Sequence, residues 1–191
     1  MLLDNEMNGR LGDFGLARLY DHGTDLQTTH VVGTMGYIAP ELTRMGRAST
    51  LTDVFAFGVF LLEVTCGRRA IAQQDGQDDA PLILVDWVLE HWQKGSLLSV
   101  VDTRLLNNYN VDEATLALKL GLLCSHPSPS ARPNMRQVIQ YLDGNAMFSE
   151  QTLVETTRNG GQDGGPNYVA SPSQPSSTSF GTMSIDLSRG R

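Results

Sequence analysis

The stretch from Thr52 to Cys66, TDVFAFGVFLLEVTC, constrains the fold more than any other part of this chain. As a helix it is apolar on nearly all sides apart from Glu63, and such a helix belongs at the centre of a domain. Asp53, or Thr52 before it, suits the N-cap because its side-chain oxygen can accept the free amide protons of the first turn. Gly67 offers the C-terminal stop. The pattern predicts a mainly α domain around this helix.

Three further segments have helical periodicity, at 82–92, 112–124 and from Pro133 to a stop at Gly144. Residues 1–15 predict a short β-hairpin that turns at the Asn8-Gly9 pair. Residues 19–36 show no periodicity and predict a long loop, which is commonly functional. From about Glu155 the chain is rich in Gly, Ser and Pro, too polar to offset its ordering entropy. We therefore assign one domain at 1–145 and a disordered tail at 146–191.

Composition excludes several classes of function. A net charge of -7 argues against nucleic acid as a partner, since phosphate backbones favour a basic face. Cys66 and Cys124 lie far apart in apolar pattern, which indicates reduced core thiols, and no His or Cys spacing fits a zinc site. No apolar run approaches the roughly 18 residues of a spanning helix, and the N-terminus lacks signal-peptide features. We expect no membrane insertion by this chain.

Several short motifs occur together in one order. Asp13-Phe14-Gly15 is followed 26 residues later (39 − 13) by Ala39-Pro40-Glu41, Asp53 opens the apolar helix, and ARPNM begins at Ala131. With these motifs, residues 1–142 resemble the C-terminal lobe of a eukaryotic protein kinase. THVVGTMGYIAPEL and the ending SIDLSRGR are most similar to plant receptor-like kinases of the L-type lectin-domain group.

The resemblance implies ATP and Mg²⁺ as cofactors, with Asp13 as the metal-binding carboxylate. Phe14 would pack beneath the nucleotide lobe, and Gly15 would let the backbone change state. The alternative for Asp13 is an aspartate-capped surface turn. Residues 16–38 resemble an activation segment in which Thr28 and Thr29 are candidate phosphorylation sites, or else a solvated threonine pair.

Residues 33–37 resemble the loop that seats the substrate hydroxyl, in the form typical of serine/threonine kinases. Its candidate residues are Gly33, Thr34, Gly36 and Tyr37. The structural motif implied by the resemblance comprises Ala39, Pro40, Glu41, Asp53 and Arg132, with Glu41 and Arg132 as a buried ion pair and Asp53 holding the catalytic loop. The chain departs from the family by carrying Phe55 and Ala56 where Trp and Ser are usual.

Other parts of the family pattern do not occur in the sequence. There is no Gly-rich phosphate loop, no β3 lysine with its glutamate partner, and no HRD-type catalytic loop. We therefore expect a fragment of a longer protein with the N-lobe absent and the catalytic aspartate upstream of Met1. The central helix would then lose part of its cover over Phe55, Phe57, Val59, Phe60, Leu61 and Leu62.

The functional hypothesis is part of an ATP-dependent serine/threonine kinase acting on protein substrates. Its parent would be a membrane-anchored receptor, with this chain on the cytoplasmic side of the plasma membrane. The alternative is a catalytically inactive binding module that competes for partners of the full-length kinase. An unstable product without a role of its own is a third possibility.

Overall fold

The computed structural model describes residues 2–12, 14, 33–46, 48–73 and 81–148. Within them lie five α-helices and two small antiparallel sheets, confirming the mainly α prediction. The helices are α1 (Pro40–Met45), α2 (Thr50–Cys66), α3 (Leu84–Gln93), α4 (Val111–Cys124) and α5 (Met135–Leu142). The strands are β1 (Leu2–Leu3), β2 (Gly9–Arg10), β3 (Ile71–Ala72) and β4 (Leu82–Ile83).

Helix α2 begins earlier than the sequence analysis predicted. Ser49, rather than Thr52 or Asp53, is the N-cap, and its side-chain oxygen accepts a hydrogen bond from the Leu51 amide at 3.2 Å. The Thr52 hydroxyl accepts in return from the Ser49 amide at 3.3 Å. This reciprocal capping box satisfies two amide groups at once, which a cap inside the helix could not do. The predicted stop is confirmed, because Gly67 adopts a left-handed φ of 63°.

The core lies where α2 crosses α4. Val59 and Leu62 of α2 are fully buried, as are Leu118 and Leu120 of α4. Gly58 makes the close approach possible: a Cβ built there would lie 2.6 Å from the Ser125 amide nitrogen. Glycine is therefore required at this crossing, and the contact is between backbones rather than long side chains.

The expected loss of cover on α2 is only partly right. Phe55, Val59 and Leu62 are buried, because α4 and the segment around Ala70 pack against them. Along the remaining flank, Phe57, Phe60 and Leu61 are half-buried and Val64 is 63% exposed. The apolar side chains that stay partly uncovered on this flank of α2 thus lie between Phe57 and Val64.

The N-terminal hairpin is confirmed, but its turn lies elsewhere. Leu2 pairs with Arg10 and Leu3 with Gly9, so Gly9 is in the strand. The reversal runs through residues 4–8, where the Asp4 carboxylate accepts from the Asn8 amide at 2.9 Å. Hydrogen bonds to this carboxylate, above all the one from the Asn8 backbone amide, lower the pKa of Asp4. A side-chain acceptor at its start therefore organises the turn more than the Asn-Gly pair does.

Packing continues beyond α5. Pro133 precedes the N-cap residue Asn134, and Gly144 follows the helix with a φ of 71°. Phe148 packs edge-on against Tyr141 with ring centroids 5.3 Å apart. The packed part of the chain thus includes Phe148, past the boundary assigned at 145, and the rest of the expected tail (149–191) lies outside the described residues.

Candidate functional site

The loop at residues 33–38, here called the docking loop, lies against the segment that follows α2. Gly36 has a φ of +93°, and a Cβ built on it would lie 2.8 Å from the Ala70 side chain. Both the backbone conformation and the close contact therefore require glycine here. The Tyr37 amide donates to the Thr34 carbonyl at 3.0 Å and closes a turn. Gly33 and Thr34 are exposed at its start.

Tyr37 and Glu63 tie the docking loop to α2. The Tyr37 hydroxyl donates a hydrogen bond to one carboxylate oxygen of Glu63, and the Ala70 amide donates to the other. The Tyr37 ring packs against the buried cluster that contains Phe55 and Val59. Burial, with the Glu63 carboxylate adding to it, raises the pKa of Tyr37 well above its usual range. The hydroxyl therefore stays protonated and serves as a donor at neutral pH.

Glu63 is a site residue that was not predicted from the sequence. The sequence does contain a sign of its role, because Glu63 is the one charged side chain in α2 after Asp53. A carboxylate placed among core positions requires hydrogen-bond partners. What the sequence could not supply is their identity, since one partner is a tyrosine 26 residues away and the other a backbone amide.

Glu41 and Arg132 form a two-pronged ion pair across 91 residues of sequence. Arg132 Nη1 donates to Glu41 Oε1 at 2.6 Å, and Nη2 donates to Oε2 at 2.8 Å. Both side chains are buried, and Glu41 lies in the first turn of α1 with Ala39 and Pro40 at its start. The structure thus brings together the two residues that the resemblance paired.

The Arg132 guanidinium has further partners. It donates to the carbonyls of His126 at 2.6 Å, Leu51 at 2.9 Å and Pro127 at 3.3 Å. Its carbon lies 5.0 Å from the centroid of the Phe55 ring. Phe55 therefore covers the charged group as a larger aromatic would, which explains how the fold tolerates phenylalanine at this position. Together these contacts fix the segment after the docking loop to α2 and to the start of α5.

The other candidate residues are either outside the described part of the chain or placed elsewhere in it. Asp13, Gly15, Thr28 and Thr29 lie outside the described residues. Phe14 is 65% exposed, and Asp53 lies exposed in the first turn of α2. Among the described residues no group of three His, Cys, Asp or Glu could hold a metal ion. The one predicted metal ligand, Asp13, was not part of that search because it lies outside the described residues; its carboxylate is the type of hard oxygen donor that Mg²⁺ prefers.

Chemically, the arrangement holds a surface loop in a fixed conformation from two sides. The hydrogen bonds of Glu63 hold its middle, and the ion pair of Glu41 holds the helix that follows. Met35, at the loop tip, is 76% exposed. A preformed exposed loop on a rigid support is suited to binding an extended peptide.

The described part of the chain has no helix both long and apolar enough to cross a bilayer.

The sequence of this chain is similar to known proteins over its full length. Residues 1–142 match the family described as protein kinase domain. The rice (Oryza sativa subsp. japonica) L-type lectin-domain containing receptor kinase SIT2 is 55% identical over 194 residues, covering 100% of this chain and 28% of that protein. Rice SIT1 is 64% identical over 144 residues, covering 75% of this chain and 21% of that protein.

A third relative, the L-type lectin-domain containing receptor kinase IV.1 of Arabidopsis thaliana, is 58% identical over 160 residues, covering 84% of this chain and 24% of that protein. The chain therefore spans about a quarter of the length of these curated relatives.

Proposed function

The chain belongs to the protein kinase family, within the plant receptor-like kinases, and we propose that it forms the substrate-docking part of an ATP-dependent serine/threonine protein kinase. The docking loop carries the proposal most directly. Its conformation is fixed by Gly36 and Tyr37 against Ala70 and Glu63, so that its exposed edge is ready for a substrate peptide.

Within this proposal, the residues of the chain have separate tasks. Tyr37 and Glu63 keep the docking loop in place, and the Thr34 hydroxyl lies at its exposed start, where it would orient a catalytic aspartate contributed from outside this sequence. Glu41 and Arg132 hold the loop to the helices beneath it. Preorganisation of this kind reduces the entropy lost when a substrate binds.

Asp13 is the residue proposed to hold Mg²⁺ with ATP. When bound, the metal neutralises charge that develops on the phosphoryl group during transfer. The proposal rests on the type of side chain and on the position of Asp13 in the Asp-Phe-Gly motif. Thr28 and Thr29 are proposed as regulatory phosphorylation sites on the same segment, because an added phosphate can pair with arginine and order a loop.

The substrates proposed are proteins phosphorylated on Ser or Thr. The names of the relatives describe receptor kinases. From these names we propose a parent protein that is anchored in the plasma membrane and carries this chain on the cytoplasmic side. In isolation the chain is expected not to transfer phosphate, because its sequence contains no Gly-rich loop, no lysine-bearing strand and no HRD-type loop.

A chimera tests the proposal. In the rice relative that matches the whole chain, the corresponding segment is replaced by residues 1–142 of this chain, and transfer of labelled phosphate from Mg-ATP to a generic protein substrate is measured. Activity on serine and threonine, identified by phosphoamino-acid analysis, supports the proposal. A folded but inactive chimera would instead favour the binding-module alternative, and labelling of tyrosine would contradict the substrate class.

A further inference from the structure

We propose that Arg69 directs the docking loop toward peptides with acidic residues beside the serine or threonine that is modified. This inference rests on the proposed function, since it assumes that substrates lie along residues 33–38. It names a class of substrate that the position of the loop alone does not specify.

Arg69 lies directly beside the docking loop. It precedes Ala70, whose side chain contacts the loop at Gly36 and whose amide donates to Glu63. Ile71, the next residue, also contacts this position, with its Cγ1 3.2 Å from a Cβ built at Gly36. Since consecutive Cα atoms are about 3.8 Å apart, the long Arg69 side chain starts within one residue of the contact and can reach a peptide bound there.

The charge of Arg69 is free within the described part of the chain. Its side chain is exposed, and no ion pair there involves it. The preceding residue differs: the Arg68 guanidinium lies 4.6 Å from the centroid of the Trp87 ring on α3. One arginine of the pair therefore packs against the protein surface, whereas the other remains available for a ligand.

The carboxylate that the described residues bring to this contact, Glu63, is already engaged. Both of its carboxylate oxygens accept hydrogen bonds from within the chain, one from Tyr37 and one from Ala70. It is thus poorly placed to recruit a cationic peptide. The chain as a whole carries a net charge of -7, so general electrostatics would repel acidic peptides. A preference for them must therefore come from a local cation such as Arg69.

The test is peptide binding to the full chain, measured by fluorescence anisotropy at low salt. Three labelled peptides share a central serine in an Ala/Gly background and carry three Asp, three Gln or three Lys residues after it. We expect the Asp peptide to bind about two- to fivefold more tightly than the Gln peptide, the range for an exposed charge pair. The difference should disappear in 0.5 M salt, where charges are screened.

Substitutions of Arg69 test whether this residue causes the preference for the Asp peptide. Arg69→Lys should keep the preference, Arg69→Ala should remove it, and Arg69→Glu should shift it to the Lys peptide. Arg136→Ala, at an exposed arginine of α5, is the matched control and should change nothing. Circular dichroism of each variant verifies folding.

Two outcomes would overturn the inference in different ways. If all three peptides bind equally, or Arg69→Glu leaves the preference unchanged, Arg69 does not set specificity and the docking function is unaffected. Neutralisation of Arg69 by Asp75, Asp78 or Asp79, which follow it in the sequence, would give that result. If no peptide binds to the folded chain, the docking function itself fails, and the inference fails with it.

Discussion

Replacing Arg132 with alanine should destabilise the domain more than any surface charge change. The Arg132 side chain is fully enclosed, with 0% of its surface exposed, and it faces a Glu41 side chain that is 9% exposed. Removing one member of a buried pair leaves the other charge without compensation, which costs about 3–5 kcal/mol. The carbonyls of His126, Leu51 and Pro127 would also lose a donor. Because the free energy of unfolding of a protein is about 5–15 kcal/mol, the expected loss is a large fraction of the stability of the domain.

Urea denaturation followed by circular dichroism measures the effect. With a slope of about 2 kcal/mol per molar urea, the midpoint should fall by roughly 1.5–2.5 M. Arg132→Lys keeps the charge but not the planar fork, so an intermediate loss is expected. The control is Lys94→Ala, which breaks the exposed pair with Glu90 and should cost about 0.3–0.5 kcal/mol.

A double variant separates the ion pair from simple packing. Glu41→Leu with Arg132→Met removes both charges and should be less destabilising than Arg132→Ala alone, since no buried charge is left. An Arg132→Ala variant that loses no more stability than Lys94→Ala would show that the buried pair does not stabilise the domain. The same conclusion would follow if the loss of stability in the double variant equalled the sum of the losses measured for Glu41→Leu and Arg132→Met singly.

Three further predictions concern the rest of the described structure. Gly58→Ala should lower the free energy of unfolding by about 1–3 kcal/mol in a urea titration, because the new methyl group would meet backbone atoms of the α2–α4 crossing; a stabilised variant would contradict the close approach. Tyr37→Phe should cost about 1 kcal/mol and weaken peptide binding by removing the hydrogen bond to Glu63; unchanged binding would mean that the loop does not depend on it. Burial raises the pKa of Cys66 and Cys124 to about 12, so neither should react with a thiol reagent at pH 8 until urea is added. Above about pH 9 the unfolded thiols ionise while the folded ones keep their protons, so stability should fall as pH rises; labelling of the folded chain would refute the buried positions.

The sequence predicted the helices better than their ends. The apolar stretch of α2 has few alternatives to a central helix, so its identity follows from composition alone. The residue at which the helix starts depends on which of several residues that can act as the N-cap does so. Ser49 and Thr52 satisfy each other's amides reciprocally, an advantage that becomes visible only when the backbone geometry is known.

Contacts between distant residues were predictable only through resemblance. The pairing of Glu41 with Arg132 spans 91 residues, and no local pattern links them. The role of Glu63 was not foreseen, although a carboxylate inside an apolar helix signals that partners must exist. The cover over Phe55 and Val59 was underestimated, because Ala70 and the docking loop pack on that side of α2.

The most direct test of the proposed kinase function is the initial rate of phosphate transfer by the chimera carrying residues 1–142, compared with the same protein bearing Asp13→Asn. A metal-binding carboxylate contributes several kcal/mol to the transition state, or at least a hundredfold in rate. We expect an active chimera and a loss of that size in the variant, with folding and peptide binding unchanged. An Asp13→Asn chimera that transfers phosphate at the original rate would contradict this expectation.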